Sequence, residues 1–93
     1  MQQSAFTSYP LAVLPVGVRA RIVAINGGRE LVRKLLSLGL RTGSEIRVEH
    51  HRRRGLVVSA GSARVALGGG IVDKLMVVPL ETVDESPNEV PDD

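Results

Sequence analysis

A single run, "RELVRKLLSLGLRTG" from Arg29 to Gly43, carries the only sustained helical periodicity in this chain. Leu31, Leu35 and Leu38 recur at spacings of four and three, flanked by Val32 and Leu36, with Arg29, Glu30, Arg33 and Lys34 on the opposite side. Glu30 stands in the first turn and four residues before Lys34, both favourable placements. Gly39 is the expected left-handed stop. With Gly39 at C′, Leu40 at C″ packs back on Leu35 at C3, as a Schellman ending requires. A short helix with so hard a stop leaves the rest of the fold to strands.

The flanking sequence alternates accordingly. "GVRARIVAI" (17–25) sets Val18, Ala20, Ile22 and Ala24 on one face against Arg19 and Arg21, which predicts a strand. Val23 and Ile25 are apolar too, so the far end of that strand is expected to be covered on both sides. After the turn "RTGS", "SEIRVEH" (44–50) alternates Ile46 and Val48 against Glu45, Arg47 and Glu49. "RRRG" turns the chain and "LVVSA" (56–60) returns it. Gly61-Ser62 is a two-residue hairpin signal, "ARVAL" (63–67) pairs back, "GGGIVDK" (68–74) is a bend or a weak turn of helix, and "LMVVPL" (75–80) is a final strand. The lead-in "YPLAVLPVG" is broken by two prolines and is expected to be extended or a single turn. Five short strands, with one helix between the first and second, predict a mainly β fold: a small SH3-like β-barrel plugged at one end by the helix. The 93 residues contain only two aromatics and no cysteine, so the core is aliphatic and no disulfide, zinc ribbon or thiol nucleophile is available.

Charge divides the chain. Residues 81–93 hold six of the ten acids and no basic residue, leaving a body with twelve basic and four acidic groups. A basic body suggests an acidic partner. The expected organisation is a flexible lead at 1–9, a barrel over 10–81 and an acidic disordered tail at 82–93. Residues 1–18 lack charge but are too polar and too proline-broken for a membrane span, so a soluble, cytoplasmic chain without direct membrane insertion is expected.

No phosphate loop, catalytic triad or carboxylate pair is recognisable, and no catalytic residue, enzyme activity or cofactor is expected. His50 and His51 are neighbours on a strand and point to opposite faces, with Arg52, Arg53 and Arg54 beside them. No metal site is expected there, because the arginines repel a cation and only Glu49 could add a carboxylate.

The runs "PLAVLPVG", "ARIVAI", "RKLLSLGLRTGSEIRV" and "ARVALGGGIVDKLMV" together resemble the FeoA family of small SH3-like barrels. The resemblance lies in the leading Leu11, Leu14 and Gly17, in the helix exit Leu35, Leu38, Gly39, Leu40 and Gly43, in Ala66-Leu67, and in Leu75 and Val77 of the closing segment. It covers about residues 10–80. Two places depart from the family pattern: the excursion after the second strand is trimmed to "HHRRRG", and "GGG" follows Ala66-Leu67. The resemblance implies that Leu35, Leu38 and Leu40 fill the end of the barrel. It implies a non-enzymatic accessory subunit of bacterial ferrous iron uptake, and a family-level link to transition-metal handling. The partner would be the cytosolic part of a FeoB-like transporter at the inner face of the membrane. From its charge, the hairpin tip reads either as a solvated turn without function or as a partner-facing patch, with Arg41, His51, Arg52, Arg53 and Arg54 as the candidate contacts. The alternative is a nucleic-acid-binding SH3-like or OB-like barrel, disfavoured because no aromatic lies in the strand region to stack a base. A repressor's regulatory barrel would normally follow a DNA-binding helical domain, and this sequence has none.

Overall fold

The structure, a computed structural model, describes residues 7–80. Phe6 and the acidic segment 81–93 lie outside the described residues. Nine elements follow one another: β1 (Tyr9–Pro10), a 3₁₀ turn (Leu11–Val13), β2 (Arg19–Ile25), α1 (Arg29–Ser37), β3 (Glu45–Arg52), β4 (Gly55–Ala60), β5 (Ala63–Gly68), α2 (Gly69–Val72) and β6 (Leu75–Pro79). The strands form one antiparallel sheet in the order β1-β6-β2-β3-β4-β5. The sixth strand, beyond the five expected, is the two-residue β1, which Pro10 keeps at an edge. The edge strands β1 and β5 do not pair with each other; α2 contacts β4, β5 and the 3₁₀ turn along the seam between them.

The interior is aliphatic. Ala20 and Ile22 from β2, Ile46 and Val48 from β3, Leu56 and Val58 from β4, Val65 and Leu67 from β5, and Leu75 and Val77 from β6 are all buried. Leu11, Leu14, Leu35, Leu40 and Val72 close the core from the lead-in and the helices. No polar side chain is buried among the described residues.

The helix ends as its sequence dictates. Gly39 adopts φ +87°. Its N–H donates to the Leu36 carbonyl at 2.9 Å, and the Leu40 N–H donates to the Leu35 carbonyl at 2.8 Å. These are the two hydrogen bonds of a Schellman motif, and Leu35 and Leu40 are both fully buried. Two glycines of the recognised pattern act as tethers. The Gly43 N–H donates to the Ile22 carbonyl, and the Gly17 N–H to the Val48 carbonyl, each at 2.7 Å.

Two expectations need correction. Leu38 does not fill the barrel's end; it is 37% exposed. As the C-cap, at φ −94° and ψ 1°, it has already left the helical phase that would carry it inward. Leu36 is exposed as well, so α1 touches the core through Leu35, with Leu31 half-buried. Nor is the far end of β2 covered on both sides. Val23 is the extra residue of a bulge between Ile22 and Ala24 and stays exposed, while Ile25 moves onto the core side opposite Leu75.

A Cβ on Gly39 would have open space, so the backbone angle alone sets the cost of replacing it. Gly39→Val is expected to lose about 1–3 kcal/mol, because it forces a β-branched residue into positive φ. Gly28→Val, at φ −79° and equally uncrowded, should cost clearly less. Paired thermal melts check this; equal midpoints would mean that the left-handed cap contributes nothing.

Candidate functional site: the basic β3–β4 hairpin

The local geometry follows from one irregularity. Val48 pairs with Val58, but the next pair is His50 with Val57, so Glu49 is the extra residue of a bulge. Before the bulge the even-numbered residues of β3 face the core. After it the parity is reversed: His51 stands opposite buried Leu56, on the inner side, and His50 faces out with Val57. The His51 Nε2–H donates to the Leu14 carbonyl at 2.6 Å, since a carbonyl can only accept. Gly17 bonds to Val48 three residues earlier on the same strand. The lead-in is therefore tied to β3 on both sides of the bulge.

Beyond His51, Arg52 pairs with Gly55 and the two-residue turn is Arg53-Arg54. Gly55 takes φ +130°, and a Cβ there would collide with the Leu67 carbonyl oxygen. Only glycine lets β4 start this close to β5. The three arginines are exposed. With Ala12, His51, Gly69, Gly70 and Asp73 they line an open cavity of about 420 Å³ between the hairpin, the 3₁₀ turn and α2. Asp73 is the single carboxylate in that lining.

The structure therefore brings His51, Arg52, Arg53 and Arg54 together but leaves Arg41 apart. Arg41 lies in the turn before β3, with its N–H donating to Ser44 Oγ at 3.0 Å. An eight-residue strand separates it from the hairpin, about 23 Å at 3.3 Å per residue. Sequence reading missed the opposite wall, Ala12 with Gly69 and Gly70. The glycine run at 68–70 reads as a bend, and nothing local says that it packs against the backbone of Arg54.

His50 and His51 diverge across the strand, and the described residues contain no group of three or more His, Asp or Glu that could hold a metal ion. Among the described residues the only aromatic is Tyr9, on edge strand β1, so the outward sheet face offers no base a stacking platform. No helix among them is long and apolar enough to cross a membrane.

Two carboxylates on the outer sheet face sit among arginines. Arg21 donates to Glu45 at 2.7 Å and Arg19 at 3.5 Å, and the Arg21 hydrogen bond above all holds the Glu45 carboxyl below its usual range. Glu49 accepts from Ser59 Oγ at 2.7 Å. That hydrogen bond, followed by the charges of Arg64, Arg47 and His50, keeps Glu49 below the usual 4.5.

Known proteins share this architecture. A profile described as the FeoA domain matches residues 9–79. A protein of Methanocaldococcus jannaschii, described as a candidate Fe(2+) transport protein A, is 29% identical over 73 residues, covering 78% of this chain and 89% of its own. A crystal structure of an iron uptake regulatory protein, FeoA, superposes with a TM-score of 0.74 at 33% identity over 80% of this chain and all of that one. The solution structure of iron(II) transport protein A from Clostridium thermocellum gives 0.72 at 27% identity, covering 77% of this chain and 46% of that one. A manganese-dependent transcriptional repressor gives 0.75 at 24% identity; 81% of this chain covers 43% of that one, a likeness of fold alone.

The carboxylate geometry sets a pH dependence. A carboxyl more acidic when folded stabilises the fold above its unfolded value, and that contribution is lost as pH falls through the lower folded one. Glu49 should therefore titrate below 4.5, and Ser59→Ala should raise its midpoint by removing the largest cause. Carboxyl-detected NMR titration checks both. A midpoint at or above 4.5 in the unsubstituted protein would contradict the assignment.

Proposed function

We propose, since the chain belongs to the FeoA domain family, that it acts as an accessory subunit of ferrous iron uptake, docking on the cytosolic part of a FeoB-like membrane transporter. The ferrous iron role comes with the family and is supported by relatives described as Fe(2+) transport protein A. The transporter partner is what family membership implies; the choice of surface is our reading of the geometry, and one observation carries it. Arg52, Arg53 and Arg54 project from a hairpin whose base is pinned by His51 to Leu14, and they flank an open cavity with a single carboxylate.

A pinned strand with a two-residue turn holds the backbone beneath these charges, so binding has to order the arginine side chains but not the loop that carries them. The surface suits an acidic partner. Exposed guanidiniums steer encounter and form charge-assisted bonds to carboxylates, while adding little to the fold's own stability. On this reading the chain works at the inner face of the membrane through its partner, without inserting in it, and performs no chemistry of its own. Arg41, at the other end of β3, belongs to a different part of the surface.

Binding to the transporter, measured across a salt series, tests the reading. Replacing Arg52, Arg53 and Arg54 together with serine should slow association and flatten its salt dependence, because the substituted charges act on encounter. The melt should stay within about 0.5 kcal/mol of the parent, as expected for exposed positions. No complex with either the isolated cytosolic part or the whole transporter at about 100 μM, the equivalent of about 5.5 kcal/mol of binding, would overturn the proposal.

A further inference from the structure

A second basic surface lies away from the hairpin, on the outer face of the sheet. Directly opposed residues in an antiparallel sheet share a face. Arg19 opposes Arg47, Arg47 opposes Ser59, and Ser59 opposes Arg64, so these four cross β2, β3, β4 and β5 as one transverse row. All three arginines are exposed. Their strand neighbours Ala20, Ile46, Val58 and Val65 are buried on the other face, which confirms the orientation. Arg19, Arg47 and Ser59 also line a shallow cavity of about 260 Å³. Counting Arg21 and the two carboxylates that face the row, Glu45 and Glu49, four arginines stand against two acids. Arg47 and Arg64 form no ion pair among the described residues.

We propose that the acidic segment of this chain, residues 81–93, docks on this row. Three observations support that occupant. The first is where the described chain stops: the Leu80 N–H donates to the Arg19 carbonyl at 2.8 Å, so the segment leaves beside Arg19, the first position of the row, from the β6 side. The second is length. From Arg19 to Arg64 is three strand spacings, about 14 Å at 4.8 Å each. From Glu81 to Glu85 is four residue steps, about 13–14 Å when extended. Glu81, one residue beyond Leu80, can therefore reach Arg19, and Asp84 and Glu85, three and four steps further on, can reach the Ser59–Arg64 end of the row. The third is charge: the segment holds six acids and no base. Glu49, bonded to Ser59 in the middle of the row, shows that this face already accommodates a carboxylate. The Arg52–Arg54 hairpin is the competing cationic surface, but it lies five residues further along β3, about 17 Å from Arg47. Tethering at Leu80 gives the nearer site the higher effective concentration. The docked segment would shield the sheet face from other polyanions and leave the hairpin as the open basic surface.

The chain has no cysteine, so Ser86→Cys gives one attachment point for a nitroxide in the full-length protein. At about 10 mM ionic strength, where the Debye length is about 30 Å, the label should selectively broaden the amides of Arg19, Arg47, Ser59 and Arg64. That broadening should disappear near 1 M salt, where the Debye length is about 3 Å, and in the variant carrying Arg47→Gln and Arg64→Gln. Glu81→Gln, Asp84→Asn and Glu85→Gln together should also abolish it, a check that leaves the sheet untouched. Broadening that is absent, uniform, centred on Arg53 and Arg54, or unchanged by salt would overturn the proposal. So would equal broadening of an isotope-labelled chain mixed with spin-labelled, isotopically silent chain, because the occupant would then be a second copy.

Discussion

The extra residue at Glu49 sets the working geometry of this small domain. A strand of unbroken alternation running from Ile46 through Val48 would place His50 inside and His51 outside. The bulge reverses that order, turning His51, itself still exposed, to the Leu14 carbonyl and leaving His50 on the outer face. A hydrogen bond of this kind contributes about 0.5–1.5 kcal/mol net. Its greater consequence is geometric, because it fixes the lead-in against the strand that ends in Arg52. The Gly17 to Val48 bond holds the same two segments before the bulge. The hairpin thus projects from a strand braced on both sides of its irregularity.

The rest of the fold supplies what the bulge needs. An aliphatic core without a single buried polar side chain, among the described residues, leaves nothing inside to specify register by hydrogen bonding. Register is set instead by the alternation of buried aliphatic residues along each strand and by the turns, with the bulges shifting it at two places. The helix meets the core chiefly at its last turn, so Leu36 and Leu38 remain exposed beside Arg33 and Lys34. The two basic surfaces differ in the same terms. The hairpin is an end, presenting three arginines on a two-residue turn. The outer sheet face is a row, interleaved with Glu45, Glu49 and Ser59, and suited to an extended acidic chain.

Local rules carried much of this in the sequence. Gly39 after a leucine stripe gave the helix end, Gly61-Ser62 marked the β4–β5 turn, and the alternation about Ile46 and Val48 identified the buried face. The bulges were not legible, for a definite reason. "RIVAI" is apolar in both phases of a period-two pattern, so a one-residue slip at Val23 changes nothing that the pattern records. At Glu49 the residues after the slip are histidines and arginines, which carry no hydrophobic signal at all. Leu38 was misplaced because periodicity extends a helix past the residue where its dihedrals leave the helical region. The far wall of the hairpin cavity, Gly69 and Gly70, depends on a contact between segments fifteen residues apart in the chain, and only the folded chain shows it.

The most direct measurement on the docking claim is a residue-resolved map of the contact surface: amide spectra of the isotope-labelled chain titrated with the unlabelled cytosolic part of the transporter. The account predicts that the largest shifts fall on His51 to Gly55 and on the facing wall at Ala12, Gly69 and Gly70. Shifts confined to α1 around Leu36 and Leu38, or to the outer sheet face around Arg47 and Arg64, would contradict it.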